Sequence, residues 1–363
     1  MKAFTKKLVL ENGCEFLGYS CGADTERVCE LVFCTAMVGY QEILSDPSCA
    51  GLMVVMTYPV IGNYGITDED FESKSSFVGA MVVRECNDNP SNFRYTKTFS
   101  EVLEEQGIPG ISGVDTRMIT RIIRDKGCRR AAIVNIETSR EAALEMIRTT
   151  PAATDQVKQV SCRKRWFSRT PNHKYDIVAV DCGIKYSIIR YFNERGCNVT
   201  VVPYNTSLDE IMAFNPDGVL ISNGPGDPTN VPEVVELVKS LRGRLPIFGI
   251  GLGHQLISLA YGAKTYRMEH GHCGGNHPVR NLDTNGIEIT SQGHSYAVDA
   301  ASLENTPLHV THVDLLDNTV EGVECAADKV FSVQYHPESA PGPHDSFYLF
   351  DKFIKMMEEY QNA

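Results

Sequence analysis

Three short segments of this 363-residue chain hold residue types that could do chemistry if folding brought them together. The first is Phe248-Gly249-Ile250-Gly251-Leu252-Gly253-His254-Gln255, an apolar run entering a helical pattern, with glycines two positions either side of residue 251. A nucleophile elbow needs that spacing, because its central residue takes a strained turn and its neighbours must lack side chains. A glycine-rich strand–helix turn without catalytic duty has the same spacing. A dinucleotide-binding fingerprint is excluded, since it requires glycine at 254 and His254 stands there. The second segment is Ser222-Asn223-Gly224-Pro225-Gly226-Asp227-Pro228. A Gly-Pro-Gly loop at a strand's carboxyl end can aim backbone N–H groups into a site, as an oxyanion hole does; it can also be a plain turn. The third is Val333-Gln334-Tyr335-His336-Pro337-Glu338, in which a histidine and a glutamate two apart could act as a base and the carboxylate that orients it.

These segments need a scaffold that brings strand ends together, and the second half of the chain has the pattern of one. Apolar runs at 177–180, 199–202, 218–221, 247–250 and 329–334 alternate with helical stretches near 185–194 and 252–261. That alternation predicts a mostly parallel sheet flanked by helices, with reactive groups at the strands' carboxyl ends. The first half reads differently. Residues 7–11, 28–34 and 52–58 are β-rich, Asp115-Thr116 offers a helix cap ahead of Ile119, Ile122 and Ile123, and 137–149 reads as a helix. Between the halves, 151–173 loses periodicity among Pro, Gln, Lys, Arg and Asn. The expected organisation is a β-rich α/β domain over 1–150, a linker over 151–173, and an α/β domain over 174–363.

Composition narrows the function classes. Hydrophobic residues at 42% and charged residues at 22% suit two globular cores. A net charge of −12 argues against nucleic acid, since phosphate recognition needs concentrated Lys and Arg. The one dense basic stretch, Arg163-Lys164-Arg165, falls in the expected linker and reads as a solvated connector. The twelve cysteines stand singly with no CxxC pair, so the spacing suggests no metal site. Met1 to Lys7 lacks a signal-type apolar region and no apolar run reaches spanning length. A reduced cytoplasm and no membrane contact are therefore expected.

With these segments in hand, residues 175–363 resemble a class I, triad-type glutamine amidotransferase domain, with its G-x-C-x-G-x-Q elbow, G-P-G-D-P loop and H-P-E end. The stretches Gly39-Tyr40-Gln41-Glu42-Ile43-Leu44-Ser45-Asp46-Pro47-Ser48, Thr57-Tyr58-Pro59-Val60-Ile61-Gly62-Asn63-Tyr64-Gly65 and Gly113-Val114-Asp115-Thr116-Arg117 resemble the N-terminal domain of carbamoyl phosphate synthetase small subunits. So does Ser339-Ala340-Pro341-Gly342-Pro343-His344-Asp345. The resemblance implies a chain that hydrolyses glutamine and passes ammonia to a large synthetase subunit, which makes carbamoyl phosphate from bicarbonate. ATP and Mg are then expected on the large subunit and no cofactor on this chain, which has no GxxxxGK[ST] segment. Carried over by position, His336 is the general base and Glu338 its orienter. Gly224, Gly226 and the amide of Leu252 line the oxyanion and glutamine site. Ser48 and Gln255 contact glutamine, and Gly293, Ser295 and Tyr296 hold its α-amino acid end.

The sequence departs from that family at its centre. The elbow nucleophile should be cysteine and is Gly251, which has no atom to attack an amide carbon. The family's Asn-His-Gly-Phe segment is Gly293-His294-Ser295-Tyr296. Cys34, Ala36 and Val38 replace the usual Asn, Ser and Thr. Two expectations follow: a small subunit whose complex must take free ammonia, or a catalytically dead paralogue that scaffolds or regulates the large subunit.

Overall fold

The computed structural model describes residues 3–127 and 129–362. Met1 and Lys2, in the stretch read above as lacking a signal-type apolar region, and Cys128, one of the single cysteines, lie outside the described residues. The chain divides into an N-terminal unit, 1–153 with 269–273, and a C-terminal unit, 154–268 with 274–363.

The N-terminal unit is built on a closed barrel. Its strands are β1 (Lys6–Leu10), β2 (Glu15–Ser20), β3 (Arg27–Cys34), β4 (Leu52–Met56), β6 (Ala80–Val82), β8 (Gly110–Ser112) and β9 (Arg130–Asn135), in the spatial order β1-β2-β8-β6-β4-β3-β9. Short β5 (Val60–Ile61) and β7 (Glu85–Cys86) pair beside it. The period-two geometry of a strand sends alternate side chains to opposite faces. On β4 both faces are apolar and buried. Met53 and Val55 pack with Ile119, Ile122 and Ile123 of α3 (Thr116–Lys126), whereas Val54 and Met56 pack with Tyr40, Ile43 and Leu44 of α1 (Tyr40–Ser45) and Phe99 and Val102 of α2 (Phe99–Glu105). The expected cap of α3 is present: Asp115 accepts from the Met118 amide, and Gly127 ends the helix at φ +61°. Ser139 likewise caps α4 (Arg140–Thr149), whose Ala143 and Ile147 pack on β1 and β9.

In the C-terminal unit a parallel core carries the site. Strands β11 (Tyr175–Asp181), β12 (Cys197–Pro203), β13 (Gly218–Ile221), β14 (Ile247–Ile250) and β19 (Val330–Val333) run parallel in the order β12-β11-β13-β14-β19. The sheet is mixed beyond that core. Antiparallel pairing adds β18 (Val320–Cys325), β16 (Ile287–Val298), β15 (Thr265–Asn281) and β17 (His309–Asp314) on one side and β10 (Trp166–Ser168) on the other. Alternate residues of the parallel strands feed two apolar layers. Val178, Val180, Val219, Ile221 and Ile247 pack against α8 (Pro232–Leu241) and α9 (Leu252–Ala260), with α7 (Leu208–Met212) at the margin. Ile177, Ala179, Leu220, Phe248 and Ile250 pack against α6 (Tyr186–Glu194) and α10 (Tyr348–Gln361).

The stretch read as a linker is more ordered than its composition indicates. It contains α5 (Gln156–Val160) and β10, and from residue 154 onward it packs within the C-terminal unit. Val157 lies in the core with Val180 and Val231, and β10 pairs with β12 from Trp166 to Ser168. An edge strand pairs on one side only, so it needs no long apolar run and leaves little trace in the sequence.

Candidate active site

Gly251 joins β14 to α9 at φ +58° and ψ −112°, a conformation that costs an ordinary residue strain energy. Its amide donates to the Val333 carbonyl at 2.9 Å, tying the turn to neighbouring β19. The flanking glycines are sterically required. A Cβ on Gly253 would overlap the Ile221 carbonyl, and one on Gly249 would overlap Ile257 Cδ1 and come within 2.9 Å of the Gly253 carbonyl. Position 251 itself is less crowded but not open. A Cβ there would meet Asn223 Cβ at 3.3 Å and the Gln334 carbonyl at 3.8 Å. The chain therefore keeps the tight elbow backbone around a residue that carries no nucleophile.

Opposite the elbow, at the end of β19, the His336 amide donates to the Ser291 carbonyl of β16 at 2.9 Å, which fixes the backbone. Its Nδ1 lies 2.8 Å from Glu338 Oε1, and both side chains are buried. A carboxylate on Nδ1 favours the tautomer with the proton there and leaves Nε2 as the basic nitrogen. Gly293 faces that nitrogen: a Cβ at 293 would sit 3.3 Å from His336 Nε2.

The sequence reading missed Lys185. Its ammonium, also buried, lies 3.0 Å from Glu338 Oε1 and donates to the Ala340 carbonyl at 2.6 Å. Burial pushes the Glu338 carboxyl up, but the Lys185 charge and then His336 outweigh it and hold it at about 2. Glu338 is thus a fixed anion that can stabilise an imidazolium. Asp181 shapes the turn that delivers Lys185, accepting from the amides of Gly183 and Ile184 at 2.9 Å and of Cys162 at 2.7 Å. No local pattern marks Lys185; the signal available was a lone lysine following a buried strand that ends in aspartate.

The loop after β13 lies against the same elbow. Asn223, fully buried, is the residue nearest to where a Cβ on Gly251 would point, and the Gly253 amide donates to the Ser222 carbonyl at 3.1 Å. Gly224 admits no side chain, because a Cβ would overlap the Cys182 carbonyl. Gly226 sits at φ +88° with Gln156 Oε1 2.7 Å from its would-be Cβ. Leu252 opens α9, and a first-turn amide has no carbonyl of its own helix to bond.

Gln255 is buried, and its Nε2 donates to the Tyr296 carbonyl at 2.8 Å and to Gln334 Oε1 at 2.9 Å. The same Tyr296 carbonyl lies 2.8 Å from His294 Nδ1. Gly293, Ser295 and Tyr296 are half-buried on β16, with the Arg267 guanidinium 5.9 Å from the Tyr296 ring centre. The structure brings Gly251, His336, Glu338, Gly224, Leu252, Gln255 and Gly293 onto converging strand ends of one unit. Ser48 belongs to the N-terminal unit, in a 3-10 turn over Pro47–Cys49, where its amide donates to Asp46 Oδ1 at 2.8 Å. Among the described residues no thiol stands at the elbow. Cys182, the cysteine nearest the loop, is fully buried and its thiol is pushed far up by that burial. His254 is a buried structural histidine bonded to Ser332 Oγ at 3.0 Å, held neutral with a pKa of about 3 by burial and then by His312.

A family model for glutamine amidotransferase class-I matches residues 178–356, and one for the carbamoyl-phosphate synthase small chain, CPSase domain, matches residues 8–133. The chain is 48% identical over 355 residues to the carbamoyl phosphate synthase small chain of Fusobacterium nucleatum, covering 98% of this chain and 99% of that one. It is 49% identical over 354 residues to the corresponding chain of Staphylococcus saprophyticus, covering 98% and 96%. The Listeria innocua chain is 48% identical over 350 residues, covering 96% of each.

Proposed function

We propose, for a chain that belongs to the carbamoyl phosphate synthase small-chain family, that it acts as the small subunit of a synthetase whose glutaminase step is silent. The observation that carries this reading is Gly251, seated at φ +58° in an elbow whose base and loop are otherwise in place. In triad chemistry a thiolate attacks the amide carbon of glutamine, the histidine takes the thiol proton, and it returns a proton to departing ammonia. Here His336, oriented by Glu338 and Lys185, has no thiol to deprotonate. Losing the nucleophile of such a constellation costs on the order of 10⁶ in kcat, about 8 kcal/mol, and oriented donors alone do not recover it.

The partner on this reading is a large synthetase subunit carrying ATP and Mg, which this chain supplies with structure and not with glutamine-derived ammonia. Glutamine binding would be weak, since Gly293 and Ser295 alter the strand assigned to its α-amino acid end. A cytoplasmic location fits the scattered, mostly buried free cysteines. Among the described residues no helix is long and apolar enough to cross a membrane.

The direct test is glutamate release from glutamine by the purified chain. The expected result is no release above background. Release that His336→Ala abolishes would overturn the reading, because another group would then be attacking.

A further inference from the structure

Two cysteines that take no part in the functional reading meet in the N-terminal unit. Cys34 ends β3 and is buried; Cys273 is half-buried in the 269–273 segment that belongs to this unit. The Thr35 amide and hydroxyl both donate to the Cys273 carbonyl, at 3.1 and 3.3 Å, so the two backbones run side by side. Both side chains pack in one apolar cluster with Cys49, Val54 and Met56. The Cys34 sulfur interacts with the Cys273 thiol and with the Ala36 amide. Those contacts lower the Cys34 pKa against the opposing effect of burial, whereas the thiol contact and burial push Cys273 well up. A thiol with a lowered pKa beside one with a raised pKa is the asymmetry that a reactive dithiol needs.

We propose that Cys34 and Cys273 are a covalent modification site, closing to a reversible disulfide when the chain meets a hydroperoxide. The Cys34 thiolate attacks a peroxide oxygen, the O–O bond breaks, and a sulfenic acid forms as hydroxide leaves and is protonated to water. The Cys273 sulfur then attacks the sulfenic sulfur, the S–O bond breaks, and a second water leaves. Two thiols and one hydrogen peroxide thus give one disulfide and two waters. A low-molecular-weight thiol reverses the step by exchange. The bridge pins the 269–273 segment to the end of β3.

A second thiol contact, Cys21 with Cys86, provides an internal comparison. The contact with Cys86 and then burial push the Cys21 thiol well up, so the Cys21 thiolate is disfavoured there. The folded full-length chain would be treated with limiting hydrogen peroxide, its free thiols alkylated, and its peptides mapped by mass spectrometry. The expected result is a reducible peptide pair linked through 34 and 273, with loss of both thiols from alkylation. In Cys273→Ser, a sulfenic acid trapped by dimedone should appear at Cys34. Recovery of Cys34 and Cys273 as free thiols while Cys21 and Cys86 oxidise would overturn the proposal, as would a bridge from Cys34 to another cysteine. The unsubstituted chain decides the matter alone if the variant fails to fold.

Discussion

At the scale of single residues, Gly251 poses a question that substitution can answer. A cysteine at 251 must adopt φ +58°, a strain of about 1–3 kcal/mol that glycine avoids. Its Cβ would meet Asn223 Cβ at 3.3 Å, so that neighbour must give by a few tenths of an ångström. Gly251→Cys should therefore fold but regain little hydrolysis, because Gly293 offers no side chain to glutamine and Ser295 adds one. Each lost contact of this kind costs about 1–3 kcal/mol. The triple change Gly251→Cys, Gly293→Asn, Ser295→Gly should exceed the single one by at least roughly tenfold in kcat/KM. Asparagine at 293 would stand beside His336 Nε2, and a Cβ at 3.3 Å requires the ring to give by a few tenths of an ångström. Equal activity of the two variants would show that the pocket is intact and that Gly251 alone silences it.

The buried Lys185–Glu338 pair makes a separate claim about pH. Glu338 has a folded pKa of about 2 against 4.5 for the free side chain. A depressed carboxylate contributes stability above its unfolded pKa and loses it as pH falls toward the folded one. The shift corresponds to roughly 3 kcal/mol. In urea titrations, the stability difference between the native chain and Glu338→Gln should be constant above about pH 5 and shrink steadily below about pH 4.5. A difference that stays constant down to pH 3 would mean the carboxylate is not held by Lys185.

Secondary-structure elements explain which parts of the site the sequence could disclose. The elbow was legible because sterics act locally: Gly249 and Gly253 are needed within a single strand–helix turn, and both contacts are present. Strands β13 and β14 fall on the expected residues because a fully buried parallel strand is a continuous apolar run. His336 and Glu338 are close in sequence, so their pairing was legible too. What was not legible depends on partners distant in sequence. Lys185 reaches Glu338 across the sheet, Gly293 faces His336 from an antiparallel strand, and β10 gains its structure from β12. Barrel closure in the N-terminal unit is the same kind of fact, set by β1 pairing with β9. The steric fit of the elbow has a measurable consequence. Gly253→Ala should destabilise the C-terminal unit by about 1–3 kcal/mol or more, since the added methyl meets the Ile221 backbone and no flexible side chain can give way. A melting temperature within a degree of the native value would show that α9 can slide along the sheet.

For the whole molecule, residues that hold a unit together can be told apart from those that serve only the reaction. In the N-terminal unit the long motifs interlock with one another. The Tyr64 hydroxyl accepts from the amides of Gly39 and Tyr40, at 2.8 and 3.1 Å, and the Tyr40 hydroxyl donates to the Gly65 carbonyl at 2.8 Å. Gln41 Oε1 accepts from the Thr67 amide at 2.9 Å, so one motif clamps the loop that follows the other. These residues hold the unit together whether or not glutamine is cleaved, whereas a thiol at position 251 would serve hydrolysis alone. A chain kept for its association with a large subunit would keep the first set and could lose the second. Mixed with a cognate large subunit at micromolar concentration, the chain should co-purify with it. The complex should make carbamoyl phosphate from ammonium with ATP and bicarbonate, and none above background when glutamine is the nitrogen source. Failure to associate would remove the small-subunit reading. Association that leaves ammonium-dependent synthesis no faster than the large subunit alone would point to a scaffold. Synthesis from glutamine would place the attacking group outside position 251 and reopen the search for it among the residues around His336.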